Sequence, residues 1–235
     1  MNFTQLRDKV IVITGASRGI GKATADLLIH YGAKLVLGSR NVDALKCDFP
    51  SNVLVLPLDV SDEQSVKVFV ERSFHHFGRV DILINAAGVG TFGNLLELDT
   101  KDFDEMIAIN LRGTYLTCKY FGKLMKKQQQ GQILNLVSIA GTTALPGGGG
   151  YSASKFGVMG LTKVLQSELR SEGISITAVV PGAINSSFWD KINPKPDLSK
   201  MIPVESIAEH IVLLLCHPKG SIVDEITIMP QDGIL

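Results

Sequence analysis

The chain has 235 residues, 45% hydrophobic and 20% charged, with 23 basic against 23 acidic side chains; this is the profile of a soluble globular protein with enough residues for one sizeable core. Its formal net charge of +0 makes no electrostatic case for a nucleic-acid or anionic-membrane partner, and no apolar run approaches the roughly 18 residues of a membrane span. Five histidines and three cysteines show no metal-ligand spacing.

The polar opening from Met1 to Lys9 does not read as a signal peptide, and none is expected. Cys47, Cys118 and Cys216 are an odd, widely spaced set. They read as buried thiols in a reducing compartment, and so as a cytoplasmic protein. Val10-Ile11-Val12-Ile13 is apolar without alternation, as in a parallel strand covered on both faces. It runs into Thr14-Gly15-Ala16-Ser17-Arg18-Gly19-Ile20-Gly21, followed by helical periodicity over residues 19–31. A glycine-rich turn between a first strand and a helix admits a phosphate to the backbone and aims amides at it. Gly15, Ser17, Arg18, Gly19, Ile20 and Gly21 are therefore candidate nucleotide contacts. The spacing is Gly-x-x-x-Gly-x-Gly, and a plain strand-to-helix turn would use the same residues.

The next strand, from Lys34 to Leu37, ends in Gly38-Ser39-Arg40-Asn41. NAD-binding folds place an acidic residue there for the ribose 2′-hydroxyl. No carboxylate is present, and Arg40, with Arg18 nearby, is suited to clamp a 2′-phosphate. Ser39, Arg40 and Asn41 thus favour NADP (NADPH), with NAD the alternative. After a strand from Val53 to Leu56, Asp59 and Val60 are placed against an adenine, although Asp59 also suits a helix cap. Ser61-Asp62-Glu63 opens a helix that runs to Phe77 and stops at Gly78. A strand over 80–84 leads to Asn85-Ala86-Ala87-Gly88, a small-residue turn against which a nucleotide can lie.

A helix covers roughly 102–128, a strand 132–137, a helix 151–172 closed by Gly173, and a strand 174–180. A helix near 204–216 and a strand near 225–229 finish the chain. This alternation defines the α/β class: a single-domain Rossmann fold over residues 1–235, a doubly wound parallel sheet with helices on both faces. The irregular stretch 182–203, with Pro194 and Pro196, is too long to be a mere connector and is read as a substrate loop over about 183–203.

Ser138 follows the strand at 132–137, where its hydroxyl can meet a substrate oxygen. Pro146-Gly147-Gly148-Gly149-Gly150 reads as a flexible approach to Tyr151-Ser152-Ala153-Ser154-Lys155. In a helix, Tyr151 and Lys155 share a face one turn apart. A neighbouring ammonium lowers a phenol's pKa from about 10 toward working pH, which makes an acid/base. Taken alone, the pair also suits an ordinary helix surface.

Together these motifs, with Asn110 and Pro181-Gly182, resemble the short-chain dehydrogenase/reductase family over essentially the whole chain, in its NADP-preferring carbonyl reductase type. The resemblance implies an oxidoreductase acting on CH–OH and C=O groups. It makes Tyr151 the general acid, Lys155 its pKa partner and a nicotinamide-ribose ligand, and Ser138 the residue that orients the carbonyl. Asn110 would hold a helix bend and a relay water. Pro181 and Gly182 would line the nicotinamide, with Ile184 and Ser186 at its carboxamide; the family usually has Thr at the last position. The same resemblance pairs the helices at 102–128 and 151–172 across a two-fold in a four-helix interface. Tyr115, Leu116, Tyr120, Phe121, Val158, Leu161, Leu165 and Leu169 are expected on their outer sides, in a homotetramer or homodimer.

The substrate is less legible. Phe188, Trp189 and Ile192 suit an apolar wall, or Trp189 suits a loop anchor; Lys191, Lys195 and Lys200 are expected in solvent. Acyl-carrier-protein reductases of the family dock their partner on two arginines, and Gln129 and Glu172 stand at those positions here. The tail Glu225 to Pro230 lacks the family's glycine-rich ending. The reading is an NADPH-dependent reductase of a small-molecule ketone or aldehyde. A 3-oxoacyl-(acyl-carrier-protein) reductase and a non-catalytic NADP sensor are the alternatives. An epimerase or dehydratase of the extended branch needs a larger C-terminal domain.

Overall fold

Strand and helix alternate through the chain as the apolar runs require. The computed structural model describes residues 3–45, 50–192, 196–218 and 220–234. Cys47, Pro194 and Lys195 lie outside these residues, as does the side chain of Lys191. The strands are β1 (Val10–Thr14), β2 (Lys34–Ser39), β3 (Val53–Pro57), β4 (Ile82–Asn85), β5 (Gly131–Leu136), β6 (Ile174–Pro181), β7 (Ile184–Asn185), β8 (Ile202–Pro203) and β9 (Glu225–Ile228). The α-helices are α1 (Gly19–His30), α2 (Glu63–Phe77), α3 (Thr100–Met106), α4 (Gly113–Gln128), α5 (Gly149–Leu169) and α6 (Val204–Leu215).

Seven strands form one sheet in the order β3-β2-β1-β4-β5-β6-β9, every pairing parallel. The period of two along each strand divides the apolar side chains between two faces. Ile11, Ile13, Leu35 and Leu37 meet Leu28 of α1 and Ile207 and Ile211 of α6. Val10, Val12 and Val36 meet Phe69 of α2 and Leu116 and Phe121 of α4. Each such side chain, fully buried, contributes roughly 1.5–3 kcal/mol of transfer free energy, so a one-residue slip of register would cost many of these terms together.

The register also sets the edge that matters. Thr14 is level with Gly38 and Asn85, and Asn85 with Asn135. The residues that follow β1, β2, β4 and β5 therefore emerge along one rim. The strand order reverses between β1 and β4, the usual place for a ligand crevice.

Four expectations change. The helix expected over 102–128 is α3 and α4 joined by a π-helical turn, Ile107–Arg112, a widening that recurs at functional sites. Leu116, Phe121 and Val158, expected on an outer face, are buried in the core; the exposed apolar residues of α4 and α5 are Tyr115, Phe156 and Val164. Gly149 and Gly150 are the first turn of α5 and not a flexible approach. A Cβ on them would lie 2.7 Å from Leu95 Cδ1 and 2.5 Å from Met106 Cε, so these glycines serve close packing. The stretch 182–203 is partly regular: β7 pairs with β8, and Ser187–Lys191 forms a short 3-10 helix.

Candidate active site

A cavity of about 420 Å³ opens along the carboxyl rim of the sheet. Its floor is the turn after β1. Gly15 has φ +67, and a Cβ there would lie 2.7 Å from Ala87 Cα. Only glycine lets this turn close on the turn after β4. The Thr14 hydroxyl fastens the two turns, accepting from the amides of Ala86 and Ala87, each at 3.2 Å. No side chain caps the amino end of α1, which leaves its first amides to a ligand in the cavity. Gly15, Ser17, Arg18, Gly19 and Ile20 line this end. Gly21 does not: a Cβ there would meet the Gly15 carbonyl oxygen at 2.5 Å, so Gly21 shapes the turn from behind.

Ser39, Arg40 and Asn41 line the cavity where β2 ends. The Asn41 amide donates to Ser39 Oγ (3.2 Å), which fixes the bend. The Arg40 guanidinium is exposed, 4.0 Å from the exposed Glu105 carboxylate; such a pair contributes little, so Arg40 is available to a stronger anion. Asp59 and Val60 line the same end. Asp59 is not the helix cap: Asp62 is, accepting from the amides of Gln64 and Ser65. Asp59 Oδ1 accepts from the amide (2.9 Å) and the hydroxyl (2.6 Å) of Ser61.

Ala86, Ala87 and Gly88 line the middle of the cavity, but Asn85 does not. Its side chain turns into the fold, because the short β4 ends with that residue level with Asn135. Its Nδ2 donates to Asn135 Oδ1 (2.9 Å) and to Cys118 Sγ (3.3 Å), and its Oδ1 accepts from Thr117 (2.7 Å). Asn135 in turn donates to Thr162 (2.9 Å). This buried network fastens β4 and β5 to α4 and α5. Burial also pushes the Cys118 thiol up to about 12, an inert residue.

Tyr151, Lys155 and Ser138 meet at the far end of the cavity. Tyr151 lies in the first turn of α5, and the Lys155 Nζ is 5.7 Å from the centre of its ring. Lys155 is 5% exposed, and its ammonium donates to the Leu136 carbonyl at 2.7 Å. The expected lowering of the phenol's pKa is not what the structure gives. Burial pushes Tyr151 up to about 12, while a hydrogen bond with Ser138 acts the other way. Burial pulls Lys155 down to about 8. The ammonium lies under the ring and is spent on a carbonyl, so desolvation outweighs attraction for both groups.

Asn110 is buried in the π turn, outside the cavity lining. Its Nδ2 donates to the Val89 carbonyl (2.8 Å) and to Ser154 Oγ (2.9 Å), and its Oδ1 accepts from the Val89 amide (2.9 Å). Ser154 Oγ donates to the Tyr151 carbonyl at 2.7 Å. Asn110 is thus a clamp between the loop after β4 and the first turns of α5, which makes it a positioning residue.

Pro181, Gly182, Ile184 and Ser186 close the cavity from the β6 side. Ser186 Oγ accepts from the Phe188 amide (3.3 Å). Trp189 serves in both of its expected roles: it lines the cavity, and its indole N–H donates to the Ile184 carbonyl at 2.7 Å. Phe92, Met229 and Ile234 also line the cavity and were not legible in the sequence. For Phe92 the one local signal is the run Gly88-Val89-Gly90-Thr91-Phe92-Gly93, a loop of small residues around one ring.

A buried ammonium has a stability cost that can be read with its sign. Lys155 drops from an ordinary 10.5 to about 8. Below pH 8 it is charged in both the folded and unfolded chain, and the whole cost is present. Between pH 8 and 10.5 the unfolded chain binds more protons, so stability rises with pH. The cost is on the order of 3 kcal/mol at most, partly offset in a variant by the lost hydrogen bond to Leu136, about 1–3 kcal/mol. Lys155→Met is therefore expected to raise the melting temperature at pH 7 by a few degrees, on a scale of roughly 2–4 °C per kcal/mol. The gain over wild type should fade toward pH 10. Melting curves of both proteins at pH 7, 8.5 and 10 check this, and a gain that does not vary with pH would contradict it.

The family model described as short chain dehydrogenase matches residues 9–197. An uncharacterized oxidoreductase of Staphylococcus aureus (strain MRSA252) is 36% identical over 97% of this chain and 100% of its own length. A 3-oxoacyl-[acyl-carrier-protein] reductase of Synechocystis sp. (strain ATCC 27184 / PCC 6803 / Kazusa) is 34% identical over 99% of each chain. Among solved structures, an alcohol dehydrogenase from the archaeon Thermococcus sibiricus, complexed with 5-hydroxy-NADP, superposes with a TM-score of 0.85 at 35% identity, over 94% of this chain and 96% of that one. With the parallel sheet, the cavity at its switch point and the Tyr151–Lys155 helix in place, these likenesses show that the chain belongs to the short-chain dehydrogenase family.

Proposed function

We propose that the chain is an NADPH-dependent oxidoreductase that reduces a small ketone or aldehyde to an alcohol, or runs the reverse reaction. One observation carries this reading. A single cavity has Arg40 and no carboxylate in the residues that end β2, with Arg18 on the neighbouring turn after β1, and the Tyr151 and Ser138 hydroxyls over a buried lysine at its other end. The residues present suit the dinucleotide. The Gly15 turn leaves no room for a side chain, the amides of α1 are uncapped, and Arg18 and Arg40 are exposed beside them. The alcohol dehydrogenase of similar fold, complexed with an NADP derivative, supports the same cofactor.

Arg40 and Arg18 would hold the 2′-phosphate, the α1 amides and Ser17 the pyrophosphate, and Asp59 and Val60 the adenine. Pro181, Gly182, Ile184 and Ser186 would lie against the nicotinamide, and Lys155 would meet its ribose. When bound, NADPH would supply the hydride that the carbonyl carbon receives. As charge grows on the carbonyl oxygen, the Ser138 and Tyr151 hydroxyls donate to it, as in an oxyanion hole. The phenol then gives up its proton. A pKa near 12 keeps Tyr151 protonated at neutral pH, the state a donor needs. The positive charge of Lys155 under the ring favours the phenolate left behind.

An acidic carrier protein is a poorer fit as partner. Glu172, where the family's carrier-protein reductases have an arginine, pairs with Lys126 at 2.6 Å. Loss of NADPH absorbance across small ketones, aldehydes, 3-oxoacyl thioesters and pteridines tests the proposal. Turnover of thioesters alone would shift it to the carrier-protein activity, and tight NADPH binding with no turnover would leave a sensor.

The exposed Tyr115, Phe156 and Val164 on α4 and α5 support assembly through these two helices, in a homotetramer or else a homodimer with isologous contacts. Light scattering at micromolar concentration is expected to give a mass of four chains or two. A monomer would refute the assembly without touching the chemistry.

A further inference from the structure

The proton donor lies under a cluster of aromatic rings. Ring centres are 5.5 Å apart for Phe92 and Tyr151, 5.6 Å for Tyr151 and Phe188, and 5.3 Å for Phe188 and Trp189. Phe92 stacks on Trp189 at 5.6 Å with an interplanar angle of 28°. All are contact distances for aromatic pairs, so Phe92 and Phe188 occupy the space on Tyr151 that a further ring would take. The rings are not held alike. Trp189 is tethered through its indole N–H to the Ile184 carbonyl at 2.7 Å. The Phe188 side chain has no polar atom and is held by packing alone, its ring pressed onto Gly90 so closely that a Cβ there would overlap it.

The charges of the cavity are segregated. Among its described lining residues the charged ones are Arg18, Arg40, Asp59 and Lys155. The first three lie at the nucleotide end, and the ammonium of Lys155 is given to the Leu136 carbonyl. Among the described residues, no cation near the rings other than Lys155, which the Leu136 carbonyl engages, would receive a carboxylate or phosphate, and burying such a charge without a partner is strongly unfavourable.

We propose that the substrate is a neutral ketone or aldehyde bearing an aromatic or other flat apolar ring, which binds over Tyr151 by displacing the ring of Phe188. Phe92 and Trp189 are the standing walls of this subsite, and Phe188 is its adjustable one. The proposal rests on the carbonyl reductase reading above and narrows it to one substrate class.

Trp189 is the single tryptophan of the chain, so its emission reports on the subsite without turnover. The full chain, saturated with NADP⁺ so that no reduction occurs, is titrated with acetophenone and with phenylglyoxylate, which adds a carboxylate beside the same carbonyl. Rates with NADPH are measured for both. Acetophenone is expected to change the Trp189 emission saturably and to exceed phenylglyoxylate in kcat/KM by at least about 100-fold, the scale of an unpaired buried charge.

Phe188→Ala, and separately Gly90→Ala, which evicts the same ring by another route, are expected to raise kcat/KM for a naphthyl ketone relative to acetophenone by about tenfold. Equal or better use of phenylglyoxylate would overturn the proposal. So would turnover of acetophenone with a silent Trp189, or unchanged ratios in both variants. If no carbonyl is reduced at all but Trp189 responds to acetophenone, the ring subsite stands and the reductase reading falls. If Trp189 is silent as well, both fall.

Discussion

Tyr151→Phe is expected to lower turnover by at least about 100-fold, the lower end of what a general acid contributes, while NADPH affinity stays nearly unchanged. The variant keeps the ring, and with it the contacts to Phe92 and Phe188. It removes only the proton that the proposed reduction delivers to the carbonyl oxygen. The Tyr151 hydroxyl is also the partner that Ser138 holds, so a bound carbonyl in the variant has one donor where wild type has two. Lys155 is not placed to replace it, since it donates to Leu136 and lies beneath the ring. Because the phenol's pKa is near 12, wild-type Tyr151 keeps its proton throughout the neutral range, and the loss in the variant should be the same at pH 6 and pH 7, where Lys155, at about 8, is still charged. Single-turnover rates with saturating NADPH, beside a fluorescence titration of NADPH, separate the two effects. Retained turnover, or a loss explained by weaker cofactor binding, would contradict the role assigned to Tyr151.

The double variant Ser39→Asp with Arg40→Ala is expected to reverse the choice of cofactor. A 2′-phosphate carries about −2 charge at neutral pH and needs cationic partners. Arg40 and Arg18 line the same cavity, and Arg40 faces only a weak competitor, Glu105 at 4.0 Å. A charge-assisted pair contributes roughly 1.5–3 kcal/mol, or one to two decades of affinity. Removing Arg40 forfeits that, and a carboxylate at residue 39, which is buried at the end of β2, adds repulsion on top. NADPH should therefore weaken by at least about 10²-fold in kcat/KM. NADH should hold or improve, because the new carboxylate can accept from the ribose hydroxyls. The measurement is kcat/KM for both cofactors with one carbonyl substrate. A wild type that prefers NADH, or a double variant that still prefers NADPH, would show that the end of β2 does not make the choice.

The strands and the order of the motifs were legible in the sequence for a local reason. A strand covered on both faces must be apolar along its run, as Val10 to Ile13 are, and a turn that approaches a phosphate must be free of side chains, as at Gly15. Tyr151 and Lys155 were legible because helical spacing alone puts them on one face. These are requirements of backbone and composition that hold wherever the element sits.

Where each side chain points, and what surrounds it, was decided only by the tertiary structure. Asn85 belongs to a motif that reads as nucleotide-facing, yet the end of β4 turns it inward to Asn135 and Thr117. Leu116 and Phe121 read as an outer face, yet the π turn at Ile107–Arg112 precedes them, and α4 buries both against the sheet. Phe92 became part of the site because α5 and the loop after β6 brought Tyr151, Phe188 and Trp189 to it from residues far along the chain. The lowered pKa expected for Tyr151 failed for the same reason. Spacing fixes the distance between a phenol and an ammonium, but their protonation depends on how much water the rest of the fold removes from both, and burial is a property of the whole assembly of elements.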